Sequence, residues 1–298
     1  MPLSHPGELA ALATAFCWTV TALAFASAGR LVGSLAVNII RLALGLVFLT
    51  IFCAATRGLP LPTDASPSAW LFLALSGVVG FLVGDLCLFR AFVVLGVRLS
   101  MLLMALVPPL TALLGFVALG EDLSAVDVAA MGLTVGGVAW VIMERRADGD
   151  GRIERPPLSG LLLGLGGALG QAGGLVLSKL GMRGYDPFAA TQIRVIAGAA
   201  GFAILCTAVG WWPRVKEALA HAAAMKRITL GAFFGPFLGV SLSLAAVKYT
   251  EAGVAATIMA IVPVLVIPPS ILIFKEKVTP RAVAGAVLAV AGVGLLFL

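Results

Sequence analysis

Charge is scarce in this sequence. Asp, Glu, Lys and Arg supply 11% of its 298 residues, where a soluble domain carries about 25%. With 61% hydrophobic residues against roughly 45–50% in a soluble domain, a water-facing globule is excluded. Histidine occurs only as His5 and His221, outside the apolar runs, and no H-E-x-x-H exists. No G-x-x-x-x-G-K-[ST] loop occurs either, so ATP is not expected to drive the protein directly. The cysteines Cys17, Cys53, Cys87 and Cys206 sit singly within apolar stretches. Without a C-x-x-C pair they indicate no disulfide framework and no zinc knuckle, and they read as small apolar side chains. No metal and no cofactor are expected. The net charge of +6 lies in the loops, where it concerns the membrane surface and orientation, not nucleic acid.

The chain has long apolar runs instead. Crossing the hydrocarbon takes about 20 residues of helix. Ten runs approximate this: 7–28, 35–56, 68–90, 98–118, 125–143, 158–180, 187–210, 228–247, 253–274 and 280–298. The first lacks a basic lead-in and reads as a membrane helix, not a cleaved signal. The longest polar stretch, 144–152, is followed by Pro156-Pro157 at mid-chain and reads as a linker. The expected division is 1–145, a linker 146–157, and 158–298.

The halves repeat. An offset of 153 places Gly7 on Gly160, Arg30 on Arg183, Ile40-Arg41 on Ile193-Arg194 and Gly45 on Gly198. An offset of 155 places Met104-Ala105 on Met259-Ala260, Val107-Pro108 on Val262-Pro263 and Glu121 on Glu276. A register that aligns Arg, Pro and Glu is hard to obtain by chance in an apolar chain. Five runs per half is odd, so the second half enters the membrane in the opposite sense. The expected fold is an all-α integral membrane protein of ten transmembrane helices in two inverted five-helix repeats. Such transporters place substrate near the midplane between the halves.

Several residues carry a family resemblance: Trp18 in the first helix, Arg41 and Arg194 early in the second and seventh, and the Met104–Pro108 stretch with its repeat Met259–Pro263. Gly120-Glu121 and Lys275-Glu276 follow those stretches. In order and duplication these resemble the drug/metabolite transporter superfamily, EamA type, over essentially the whole chain. The resemblance implies a ten-helix fold and export of amino acids, related metabolites or drugs across a bacterial inner membrane. Small multidrug relatives carry a glutamate deep in the first helix for proton-for-cation exchange. Here the only acid of that helix is Glu8, at its mouth, and Trp18 holds the middle. A neutral or zwitterionic small-molecule substrate is therefore expected over a cation.

Loop charge sets an orientation. Alternating the loops leaves four basic residues on the side of the termini (Arg57, Lys179, Arg183 and Lys248) and fourteen on the other. The positive-inside rule puts the fourteen in the cytoplasm and the termini outside. The family resemblance implies cytoplasmic termini instead.

Ionisable groups inside a bilayer cost about 2.5–3.5 kcal/mol on insertion scales. Arg41 lies about six residues into the second helix, and Asp85 about six before the end of the third. At about 1.5 Å per residue both sit roughly 9 Å below one face. They are expected to meet as a buried pair that gates the pathway or only fixes packing, with Asp85 the candidate for proton coupling. Arg194 faces a different neighbourhood, because Val240 holds the position matching Asp85. Its expected neighbours are Gln192, Ser241, Ser243 and Glu251, unless it snorkels to the interface. Trp18 and Gln171, repeat mates at mid-helix, are expected in the substrate pocket, with Asn38 and Phe81 as further candidates. Glu121 and Glu276, each followed by Ser124 or Thr279, are expected at helix turns or caps. Pro108, Pro236 and Pro263 are expected to kink helices four, eight and nine. Gly166/Gly170/Gly174 and Gly231/Gly235/Gly239 form smooth faces for close helix packing.

Three other classes compete. An intramembrane aspartyl protease would use Asp85 and Asp186, but Leu82-Val83-Gly84-Asp85 lacks the first glycine of G-x-G-D and Asp186 precedes Pro187 in a loop. The protein is therefore not expected to be an enzyme. Drug efflux and lipid translocation remain alternatives to metabolite export. The bilayer is the expected partner, and a monomer can enclose the pathway.

Overall fold

The computed structural model describes residues 6–119, 124–143, 146–147, 153–154, 156–182, 184–249, 258–275 and 278–295. Among the described residues, eight helices are long and apolar enough to cross a membrane. They are helix one (Pro6–Val32), two (Ser34–Arg57), three (Pro67–Leu95), four (Val97–Val117), five (Ala125–Met143), six (Leu158–Met182), seven (Pro187–Ala208) and eight (Ala222–Ala246). Two shorter apolar helices follow, helix nine (Val262–Phe274) and helix ten (Pro280–Leu295). The outer faces are apolar: Ile51 is 64% exposed, Met143 79% and Leu272 78%. A contiguous apolar surface of this kind belongs against lipid, where helices satisfy every backbone group internally.

The packing repeats when the halves are exchanged. Helix one packs along helix eight, and helix six along helix three, which is the same contact with the halves interchanged. Helices two and seven pair with each other, as do four with nine and five with ten.

The local irregularities repeat as well. Helix three widens to a π-helix over Val78–Gly84 and helix eight over Phe233–Gly239, at matching positions of the two halves. Each π-turn carries two glycines four residues apart, Gly80 and Gly84 or Gly235 and Gly239. These let the facing helix approach closely. A Cβ on Gly84 would lie 3.2 Å from the Gly170 backbone, and one on Gly239 would lie 2.9 Å from the Trp18 indole. Among the expected kinks, helix four breaks in a turn at Ala105-Leu106, and a turn at Ala260-Ile261 precedes helix nine, each just ahead of a Val-Pro pair. Proline cannot donate to the preceding turn, and its ring disfavours helix in the residue before it.

Two elements lie outside the expected runs. A short amphipathic helix, Trp212–Ala220, precedes helix eight, which itself starts at Ala222, six residues ahead of its apolar run. In the expected linker, Arg146–Ala147 pairs antiparallel with Ile153–Glu154. Ser124 Oγ accepts from the Asp127 amide at 3.2 Å and Thr279 Oγ1 from the Ala282 amide at 3.1 Å, so matched residues cap helices five and ten. Glu121, Arg183, Glu251 and Glu276 lie outside the described residues.

Candidate functional site

A cavity of about 780 Å³ lies between the halves, within the size range of small-molecule sites. Trp18, Arg41, Phe81, Asp85, Gln171 and Arg194 line it. It extends to Gly115, Asp127, Lys179 and Lys248. These lie at helix ends that chain alternation puts on the side of the N-terminus.

Arg41 and Asp85 pair on its wall. The Arg41 Nη2 donates to Asp85 Oδ2, and both side chains are buried. Burial makes a bare ion costly, so the remaining valences must be filled. Gln171 Nε2 donates to the other carboxylate oxygen, Oδ1, at 2.6 Å. Arg41 Nε donates to Asn38 Oδ1 at 3.0 Å, and Asn38 Nδ2 donates to the Ser34 carbonyl at 3.1 Å. The Arg41 guanidinium lies 4.6 Å from the Phe89 ring centre and 5.6 Å from that of Phe25. Asn38, expected in the pocket, instead sits fully buried behind Arg41. Residues three apart share a helix face, and this Asn serves the arginine, not the cavity wall.

Arg194 departs from its expected surroundings. It is only 4% exposed and does not snorkel. Its guanidinium lies 4.9 Å from the Phe81 ring centre, a ring that Arg41 approaches at 5.7 Å. Its Nε is buried without a hydrogen-bond partner among the described residues. Gln192 points elsewhere, donating to Thr50 Oγ1 at 3.0 Å and the Pro60 carbonyl at 2.7 Å. Residues two apart on a helix are separated by roughly 200°, so Gln192 and Arg194 cannot share a face. Ser243 Oγ donates to the Val240 carbonyl at 2.7 Å, and Ser241 Oγ is buried with no hydrogen-bond partner among the described residues. Helix seven is held here by Gly77, where a Cβ would lie 2.2 Å from the Arg194 carbonyl oxygen.

The aromatic floor was not singled out in the sequence. Phe25, Phe89 and Phe92 line the cavity beside the ion pair. Phe89 is four residues from Asp85, so it falls on the same helix face, and that spacing was the available signal.

At the end of helix two, where its apolar span gives way to the loop, a second polar cluster ties the halves together. Arg57 Nη2 donates to Asp64 Oδ2 at 2.5 Å, and the Tyr185 hydroxyl donates to Asp64 Oδ1 at 2.6 Å. The Tyr185 bond, with Arg57 nearby, holds the Asp64 carboxyl below its ordinary range. Burial, then the bond to Asp64, pushes the Tyr185 phenol up to about 12. Asp186 accepts from the Ala189 amide at 2.9 Å, which makes it the cap of helix seven.

Comparison with known proteins places this geometry. No curated protein matches the sequence. One crystal structure of a protein aligns over 97% of this chain and 95% of its own, with TM-score 0.68 and 17% identity, which speaks for the fold alone. The sequence matches the EamA-like transporter family twice, over residues 5–143 and 158–298. Two family repeats, a lipid-facing apolar exterior and a cavity between the halves agree. The chain belongs to the EamA-like transporter family of the drug/metabolite transporter superfamily and is a multi-pass membrane protein.

Proposed function

We propose that this protein is a secondary active exporter of amino acids or related small metabolites in a bacterial inner membrane. It works with ten transmembrane helices, two inverted five-helix repeats (1–145 and 158–298) joined by the linker 146–157. The observation that carries this reading is a cavity between the halves with the buried Arg41–Asp85 pair on its wall, which we read as a closed gate. A pathway sealed at one end by a breakable contact is what alternating access requires. Trp18 and Phe81 supply aromatic wall, Gln171 and Asn38 hold the charged pair in place, and Arg41, Asp85 and Arg194 form the gate. Gln192 braces helix seven against helix two.

Asp85 is the residue for proton coupling. Its protonation would remove the charge that holds Arg41 and loosen the gate. The test is counterflow in proteoliposomes of labelled neutral, aromatic and charged amino acids, against protein-free vesicles. Saturable exchange of at least one is expected. Failure across the panel, with folded and inserted protein, would overturn metabolite export.

A further inference from the structure

The pseudo-symmetry of the halves leaves one charge unaccounted for. Arg41 and Arg194 are repeat mates, both on the cavity wall and both nearly fully buried. Arg41 has Asp85 as counter-ion on the neighbouring helix. The matching position beside Arg194 is Val240, which also lines the cavity, on a helix packed against helix seven. Asp85 lies within electrostatic reach of Arg194 as well, but its hydrogen bonds go to Arg41 and Gln171, so one carboxylate faces two guanidinium groups. Arg194 therefore keeps a buried Nε with no acceptor among the described residues.

A buried cation normally has a partner, because desolvation without compensation is expensive. Stacking on Phe81 compensates only in part, by about 0.5–2 kcal/mol. What is missing is an acceptor with one negative charge, in the place where the first half carries its own carboxylate. We propose that the substrate supplies it: Arg194 is the binding site for the anionic head group of a small organic carboxylate. The bound carboxylate completes the second ion pair that Val240 leaves open.

Three further observations agree. The guanidinium fork matches a carboxylate bidentately, so the surplus charge selects that geometry as well as its sign. Among the described lining residues Arg41 and Arg194 share the single carboxylate of Asp85 at their depth, so the local field favours an anion. Phe81 lies beside Arg194, and Val176 and Leu244 are among the apolar residues lining the same cavity, which suits an apolar body behind the head group. The proposal rests on the transporter reading and narrows its substrate to molecules with a free carboxylate. An α-amino group is tolerated but is not what Arg194 reads.

Binding and transport separate the two claims. Purified protein would be titrated with aliphatic and aromatic carboxylic acids, with and without an α-amino group, and with the amide and methyl ester of each. Thermal stabilisation and quenching of tryptophan fluorescence report binding. At least one acid is expected to bind, its amide and ester at least about 30-fold more weakly, as for loss of a partner from a buried charge pair. Arg194→Gln should lose the acid by a similar factor, while Arg194→Lys should retain part of it. Val240→Asp should also abolish acid binding, because it installs the counter-ion internally. Amides that bind as well as acids, no acid that binds, or unchanged acid affinity in folded Arg194→Gln would each overturn the proposal. Binding without counterflow of the same acid would instead overturn the transporter reading. Counterflow of neutral amides but not acids would leave transport standing and the anion site refuted.

Discussion

The two halves contain the same arginine in different electrostatic surroundings. Arg41 is neutralised by Asp85, braced by Asn38, and its carboxylate partner is held by Gln171. Arg194, at the matching position, stacks on Phe81 and has no comparable set of partners among the described residues. The backbone repeats in both halves, down to the π-turns of helices three and eight. Symmetry of fold thus coexists with asymmetry of charge around the Phe81 ring that both arginines approach.

The comparison can be broken most strongly at the Arg41–Asp85 pair. Asp85→Ala leaves Arg41 buried without a counter-ion and should cost about 3–5 kcal/mol of stability, measured as a lowered thermal midpoint in detergent. The milder Asp85→Asn should change transport or its pH dependence. If both stay intact, the pair only fixes packing.

The shared scaffold is the next target. Gly170→Ala puts a Cβ 2.4 Å from the Gly84 Cα, so helices three and six must part, at a cost of about 1–3 kcal/mol. Gly136→Ala, with nothing within 4 Å, should leave the melting temperature unchanged within about 0.5 kcal/mol.

A smaller effect sharpens the contrast between the mates. Arg194→Gln removes a buried charge with no hydrogen-bonded counter-ion among the described residues, so stability should fall by no more than about 1 kcal/mol. Arg41→Gln strands Asp85 and should resemble Asp85→Ala. Equal losses in the two arginine variants would contradict the asymmetry.

Least affected should be the exposed cluster that joins the halves. Tyr185→Phe removes one hydrogen bond to a part-exposed carboxylate and should cost under about 1 kcal/mol. The pH signs are opposite for its two groups. Asp64, depressed in the fold, stabilises above its ordinary value near about 3.9, and that contribution fades as pH falls. Tyr185, raised to about 12, stabilises below its ordinary value near about 10 and loses this as pH climbs towards 12. A spectrophotometric phenol titration should lose its highest step in the variant.

Much of the architecture was legible because depth along a helix depends only on residue count. The apolar runs, the offset between halves and the common depth of Arg41 and Asp85 all follow from rise per residue. The cavity positions of Trp18 and Gln171 follow from their mid-helix register, and the prolines mark the breaks in helices four and nine. The azimuth of a side chain was less accessible. Gln192 turns towards Thr50 and Arg194 towards Phe81, a separation that helical spacing implies but that gains meaning only once the neighbours are known. Asn38 was placed near the right partner and in the wrong layer, behind Arg41 instead of on the wall.

From the sequence alone came the class of the protein, its duplicated plan, and the electrostatic mismatch between Asp85 and Val240, all properties of residue type and position along the chain. Tertiary structure alone decided which faces meet. The π-turns shift the register of helices three and eight, Gly84 and Gly239 admit Gly170 and Trp18, and Phe81 comes within reach of both arginines. Those contacts depend on how helices distant in sequence rotate and approach, which is set by packing and not by any local pattern.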